Sequence, residues 1–178
     1  PEAVIEEFTT LFGCSIHEGY GLSETSPTVA VNHVREETAP GTVGTALWGI
    51  DLRIAAPDDD GLTFLPTGEI GEVVVRGHGL FLGYQNDPEA TAGSYVDGWF
   101  RTGDLGRLDP AGRLTIVDRT KDLIIRGGYN VYPREIEEVL ARMPGVRRVA
   151  VFAVPDDRLG QELVVAVIAE PPVTAGDV

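Results

Sequence analysis

The sequence predicts an α+β protein: a β-rich, barrel-like stretch followed by a small α+β domain. Three observations lead there. Short β-branched runs, separated by turn clusters, fill the chain from Thr28 to Asp118. After Lys121 the order changes to strand, helix and two long apolar strands. Helical spacing of apolar residues is otherwise confined to the first dozen residues and one short stretch near Pro88.

The elements follow in order. Pro1 suits a first helical position, and Val4, Ile5, Phe8, Leu11 and Phe12 share one helical face, with Gly13 where a C′ residue belongs. Ser15-Ile16-His17 reads as strand and leads into the glycine-rich Gly19-Tyr20-Gly21-Leu22-Ser23-Glu24-Thr25. Val29-Ala30-Val31, Leu52-Arg53-Ile54, Glu72-Val73-Val74-Val75-Arg76 and Leu114-Thr115-Ile116-Val117 read as strands. Pro57-Asp58-Asp59-Asp60-Gly61 and Asp109-Pro110-Ala111-Gly112 read as turns. Asp87 caps a short helix with Pro88 at its first position. Leu123-Ile124-Ile125 is a strand, and Pro133 opens a helix with Ile136, Val139, Leu140 and Met143 on one face. Acids at Glu135, Glu137 and Glu138 and Arg142 at the other end complement its dipole. Val149–Val154 and Leu163–Ile168 complete a βαββ unit. The expected domains are residues 1–119 and 120–170, with 171–178 as a Pro-containing tail.

Composition narrows the function. The formal charge of −14 argues against a nucleic-acid backbone as partner, since no basic patch stands against it. No apolar run reaches the ~18 residues of a spanning helix, and no signal peptide opens the chain. An opening without Met reads as a segment of a longer chain. Cys14 is the only cysteine, which excludes an internal disulfide, fits a reducing, cytoplasmic compartment, and is expected to be buried and inert. His17, His33 and His78 lack metal-ligand spacing and read as structural.

The chemistry concentrates in a few places. Tyr20-Gly21-Leu22-Ser23-Glu24 offers an aromatic face, a close-approach glycine, a hydroxyl and a carboxylate, the parts for adenine, phosphate and magnesium. The same residues read equally as a tight turn with a solvated acid. Asp104 suits a ribose diol, or a plain turn. Arg119 suits ribose or phosphate, or an ion pair with Asp118 or Asp122. Lys121 is the one lysine among fourteen cations. Trp48 reads either as a core residue or as one that approaches a substrate.

In order along the chain, Gly19–Glu24, Gly71–Gly77, Gly83-Tyr84, Gly98–Asp104, Asp118–Asp122 and Gly127–Glu137 resemble the adenylate-forming superfamily of acyl-CoA synthetases, luciferases and peptide-synthetase adenylation domains. Glu24-Thr25-Ser26-Pro27 and Val131-Tyr132-Pro133 look most like fatty-acid or other acyl-CoA ligases. The resemblance implies the end of the large adenylation domain followed by a truncated small C-terminal domain. It implies ATP, Mg2+ and coenzyme A as cofactors and a carboxylic acid as substrate. Gly19, Tyr20 and Gly21 would line the adenine site, Ser23 would meet phosphate, and Glu24 would be catalytic and hold the metal. Asp104 and Arg119 would take the ribose, Lys121 would be the hinge, and Gly127, Gly128 and Tyr129 would meet the coenzyme A arm.

The family's lysine-bearing phosphate loop lies upstream of these motifs, and no lysine follows Lys121 to match its C-terminal catalytic one. The isolated segment is therefore expected to be inactive as a ligase. A peptide-synthetase adenylation domain and a non-catalytic module that binds AMP or a partner are the competing readings.

Overall fold

The computed structural model describes residues 2–34, 39, 41–57 and 61–170, except for the side chains of residues 2–4 and 6. Pro1, the Val4 side chain, the three aspartates of the 57–61 turn and the 171–178 tail lie outside the described residues. The chain divides into two compact units, Pro1–Ile116 and Val117–Val178.

Unit 1 opens with α1 (Glu2–Phe12), ended by Gly13, whose N–H donates to the Thr9 carbonyl at 2.9 Å. On the expected apolar face Ile5 is half-buried, but Leu11 and Phe12 are 69% and 66% exposed, and the Phe8 and Phe12 rings lie 4.6 Å apart at a tilt of 39°. Cys14 is likewise exposed, against the expectation of a buried thiol, because it follows the exposed end of the helix, Leu11 and Phe12. Residues 15–17 form no strand; β1 (Gly19–Gly21) starts later and pairs with β2 (Thr28–Val31). Then come β3 (Thr45–Ala46), β4 (Ile50–Ala55), β5 (Gly71–Gly77), α2 (Pro88–Gly93), β6 (Tyr95–Val96), β7 (Trp99–Leu108) and β8 (Leu114–Arg119).

Among the described residues every strand pairing is antiparallel. One sheet runs β1-β2-β3, and another runs β4-β5-β7-β6 with β8 against β7. A bridge from Thr45 to Arg113, with Val43 N–H donating to the Leu114 carbonyl and Leu114 N–H to that of Gly44, joins them into a curled, barrel-like surface. The centre of strand β5 is buried on both faces, which is why Val73-Val74-Val75 reads as an apolar run without alternation. Val73 and Val75 pack with Val29, Ile54 and Leu114 on one side; Val74 packs with Ala55 and Trp99 on the other. The Asp109 turn forms as expected, its carboxylate accepting from Ala111 and Arg113 N–H. Asp87 caps α2 through Ala90 N–H at 2.8 Å.

Unit 2 is ββαββ rather than βαββ. It consists of β9 (Ile124–Arg126), β10 (Tyr129–Val131), α3 (Pro133–Ala141), β11 (Val146–Asp156) and β12 (Gly160–Ala169), with sheet order β10-β9-β12-β11. The extra strand arises because Gly127-Gly128 is a two-residue hairpin turn, both residues at positive φ (58° and 86°). Val139, expected on the buried face of α3, is 65% exposed. Among the described residues no helix is long and apolar enough to cross a membrane.

Candidate functional site

Unit 1 brings together residues that the sequence separates by more than eighty positions. Strand β1 must lie close to the segment that follows it. A Cβ on Gly21 would stand 1.8 Å from the Pro27 carbonyl oxygen, so only glycine fits. The chain then makes a 3-10 turn, Ser23–Thr25, that carries Ser23 exposed and Glu24 half-buried. Thr25 ties this turn off from inside. It is 1% exposed, accepts from Leu22 N–H at 2.9 Å, and stands 2.9 Å and 2.5 Å from the carbonyls of Leu22 and Pro27.

Asp104 reaches the same place from β7. Strand β5 pairs Glu72 with Leu105 and Val74 with Arg101, so Val73 alone faces Thr102, Gly103 and Asp104. That excess is a bulge, and Gly103 takes the positive φ of 71° it needs. Asp104 is 6% exposed, and its Oδ2 accepts from the Tyr20 hydroxyl at 2.7 Å. Its N–H donates to Thr102 Oγ1 at 3.1 Å, and the Thr102 hydroxyl donates to the Val73 carbonyl at 2.7 Å. The plain-turn alternative for Asp104 is thereby excluded: it is a strand residue held at a bulge.

Beneath the bulge lies Glu72, 4% exposed. Its Oε2 accepts from Arg101 Nε at 2.7 Å and Nη2 at 2.5 Å, and its Oε1 accepts from Gly103 N–H at 3.0 Å. Arg101 Nη2 also donates to the Pro57 carbonyl at 3.0 Å.

Glu24 has a partner that the residue-by-residue reading missed. The Tyr84 hydroxyl donates to its Oε1 at 3.0 Å, and the Glu24 carbonyl accepts from Phe81 N–H at 2.8 Å. Partial burial, followed by the Glu24 bond and charge, pushes the Tyr84 phenol above its ordinary range and keeps it a donor. Phe81 packs against the rings of Tyr84, Tyr95 and Phe100. The Gly83-Tyr84 pair was visible in the sequence, but nothing local pointed it at Glu24. No group of three or more His, Cys, Asp or Glu side chains suited to a metal exists among the described residues. Magnesium is commonly held by one or two carboxylates plus substrate phosphates, so a single carboxylate such as Glu24 fits that ion. Trp48 is 92% exposed, which removes the core reading.

Unit 2 holds the other expected residues. Asp118, buried at 9% exposure, accepts from Arg119 N–H at 2.8 Å and from Arg134 N–H at 3.2 Å, tying β8 to the start of α3. The bond from Arg119 is a backbone one; its side chain is exposed. Lys121 is exposed on the 3-10 turn Thr120–Asp122 and lines a cavity of about 410 Å³ with Asp118, Asp122, Arg134, Glu137 and Gln161. Gly127 and Gly128 form the hairpin turn, and the neighbouring Tyr129 is 79% exposed.

A half-buried tyrosine bonded to a buried aspartate thus stands on a curled sheet, beside a turn that bears a hydroxyl and a carboxylate. Comparison with known proteins names the family. Residues 1–85 match the AMP-binding enzymes, and residues 135–177 match the AMP-binding enzyme C-terminal domain. The long-chain-fatty-acid–CoA ligase of Bacillus subtilis (strain 168) is 40% identical over 161 residues, covering 90% of this chain and 28% of that protein. A feruloyl-CoA synthase of an Amycolatopsis species is 43% identical over 152 residues, 84% of this chain and 30% of that protein. The structure of ATP-bound MatB from Rhodopseudomonas palustris superposes with a TM-score of 0.89 at 38% identity, covering 97% of this chain and 34% of that one. This chain belongs to the AMP-binding, adenylate-forming enzymes. It spans about 30% of the length of the relatives it matches.

Proposed function

We propose that this chain forms part of an ATP-dependent acyl-CoA ligase, comprising the end of its large domain and most of its small one. In that reaction a carboxylate oxygen attacks the α-phosphorus of ATP and the bond to pyrophosphate breaks. The coenzyme A thiol then attacks the acyl carbon, and AMP leaves. The observation that carries the reading is the Tyr20–Asp104 bond of 2.7 Å, which joins the glycine-rich turn to the β7 bulge at one place.

In unit 1, Asp104 takes the ribose hydroxyls and Tyr20, flanked by Gly19 and Gly21, takes the adenine. Ser23 donates to phosphate. Glu24, steadied by Tyr84, would hold Mg2+, and the ion would supply charge neutralisation for the phosphates. In unit 2, Arg119 serves ribose or phosphate and Lys121 is the hinge, so the functional boundary falls at 119–120. Gly127, Gly128 and Tyr129 meet the coenzyme A arm. The acid is of the fatty-acid or aryl-acid kind that the relatives' names describe. A cytoplasmic setting fits both substrates.

Carboxylate-dependent ATP–pyrophosphate exchange by the full-length protein, followed by thioester formation on free coenzyme A, tests the reading. A thioester formed only on a carrier protein would assign a peptide-synthetase adenylation domain instead. No exchange with any acid would favour a binding module. The isolated 178 residues are expected to show no exchange, and measurable exchange by them would overturn that expectation.

A further inference from the structure

We propose that Glu72 is a positioning residue for nucleotide recognition: its buried carboxylate stands in for the missing sheet partner of the β7 bulge and so aims Asp104. The inference rests on the reading of Asp104 as the ribose ligand.

A bulge leaves backbone groups without ladder partners. Here the orphaned Gly103 N–H is taken by a side chain, Glu72 Oε1, at 3.0 Å. The other oxygen of the same carboxylate takes both Arg101 nitrogens, and Arg101 flanks the bulge on its other side. Glu72 thus grips the residue immediately before Asp104 and a residue three positions before it. The Thr102 hydroxyl completes the cage by bonding the Val73 carbonyl and accepting from Asp104 N–H. Every polar contact described on the bulge fixes where Asp104 leaves the sheet. A Glu72 that served the sheet alone would have no reason to bond Gly103, a residue the sheet does not pair.

The experiment uses the full-length protein and compares ATP with 2′,3′-dideoxy-ATP, which lacks the diol. In the unaltered protein kcat/KM favours ATP. In Glu72→Ala that preference falls about tenfold or more, carried by KM for ATP, while kcat/KM for the dideoxy nucleotide changes little. Glu72→Gln, whose amide oxygen still accepts from Gly103 N–H, retains part of the preference. Equal losses on both nucleotides would overturn the inference, as would loss of folding in both variants, since Glu72 would then hold the sheet rather than aim Asp104. Asp104→Asn separates the two readings. If it abolishes the preference while Glu72→Ala keeps it, only the positioning role fails. If it leaves the preference intact, the ribose reading of Asp104 fails as well.

Discussion

Replacing Thr25 by valine removes one hydroxyl and keeps the branched shape. The site is 1% exposed, so no solvent replaces what is lost. The hydroxyl accepts from Leu22 N–H and donates its single proton to either the Leu22 or the Pro27 carbonyl. Leu22 N–H keeps a second acceptor, the Pro27 carbonyl at 2.9 Å, so that donor is not stranded. The loss is then one accepted and one donated bond, with a buried carbonyl left short, about 1–3 kcal/mol in all. Thr25→Ser keeps the hydroxyl and loses one methyl, about 1 kcal/mol. Urea unfolding of the full-length protein should therefore place valine below serine. ATP–pyrophosphate exchange should fall further in valine, because the same turn carries Ser23 and Glu24. A valine variant as stable as the serine one would refute the idea that hydrogen bonds, rather than packing, hold the turn.

Two further outcomes follow from single contacts. Gly21→Ala places a methyl carbon 1.8 Å from a backbone carbonyl, which no rotamer relieves; the expected cost exceeds the ordinary ~1–3 kcal/mol of overpacking, read as a loss of soluble, exchange-competent protein. Gly98→Ala, where nothing lies within 4 Å, separates this steric effect from backbone strain, since Gly98 has φ +78° and no close neighbour. In unit 2, Arg126 grips Glu162 with two bonds of 2.5 and 2.8 Å, and together with Leu163 N–H holds its carboxyl down at about 2. A lowered carboxylate value stabilises above the ordinary value of 4.5 and loses that contribution as pH falls towards 2. Thermal melts of Glu162→Gln should differ from the parent at pH 7 and converge near pH 2, with the difference shrinking in high salt because the pair is partly exposed. A constant difference across pH would count against the ion pair.

The strands that pack by a local rule were legible. Val73–Val75 is apolar and β-branched and Leu114–Val117 largely so, and β5 and β8 cover them. The Asp87-Pro88 start of α2 follows from capping chemistry that needs no distant partner. One strand was hidden by its distant partners. Trp99–Leu108 contains Arg101, Thr102, Gly103 and Asp104, which by propensity spell a turn, yet it forms a ten-residue strand. Its polar residues are paid for by Glu72 and Val73 on the neighbouring strand, contacts about thirty positions away. Gly127-Gly128, between Ile124–Arg126 and Tyr129–Val131, carries a local hairpin signal that accounts for β10. Helix α1 shows the converse. Its amphipathic spacing is real, but the described residues of unit 1 leave Leu11 and Phe12 exposed.

By itself the sequence determined the chemistry present: a glycine that allows close approach, a hydroxyl and a carboxylate on adjacent residues, and an aspartate behind a glycine. Their order along the chain carried the family. Only the tertiary structure decided that Tyr20 and Asp104 share a hydrogen bond, that Tyr84 steadies Glu24, and that Glu72 grips the bulge. The physical reason is that hydrogen-bond partners between paired strands depend on register, and register here is set by the buried faces of β5 and β7 and by one bulge between them.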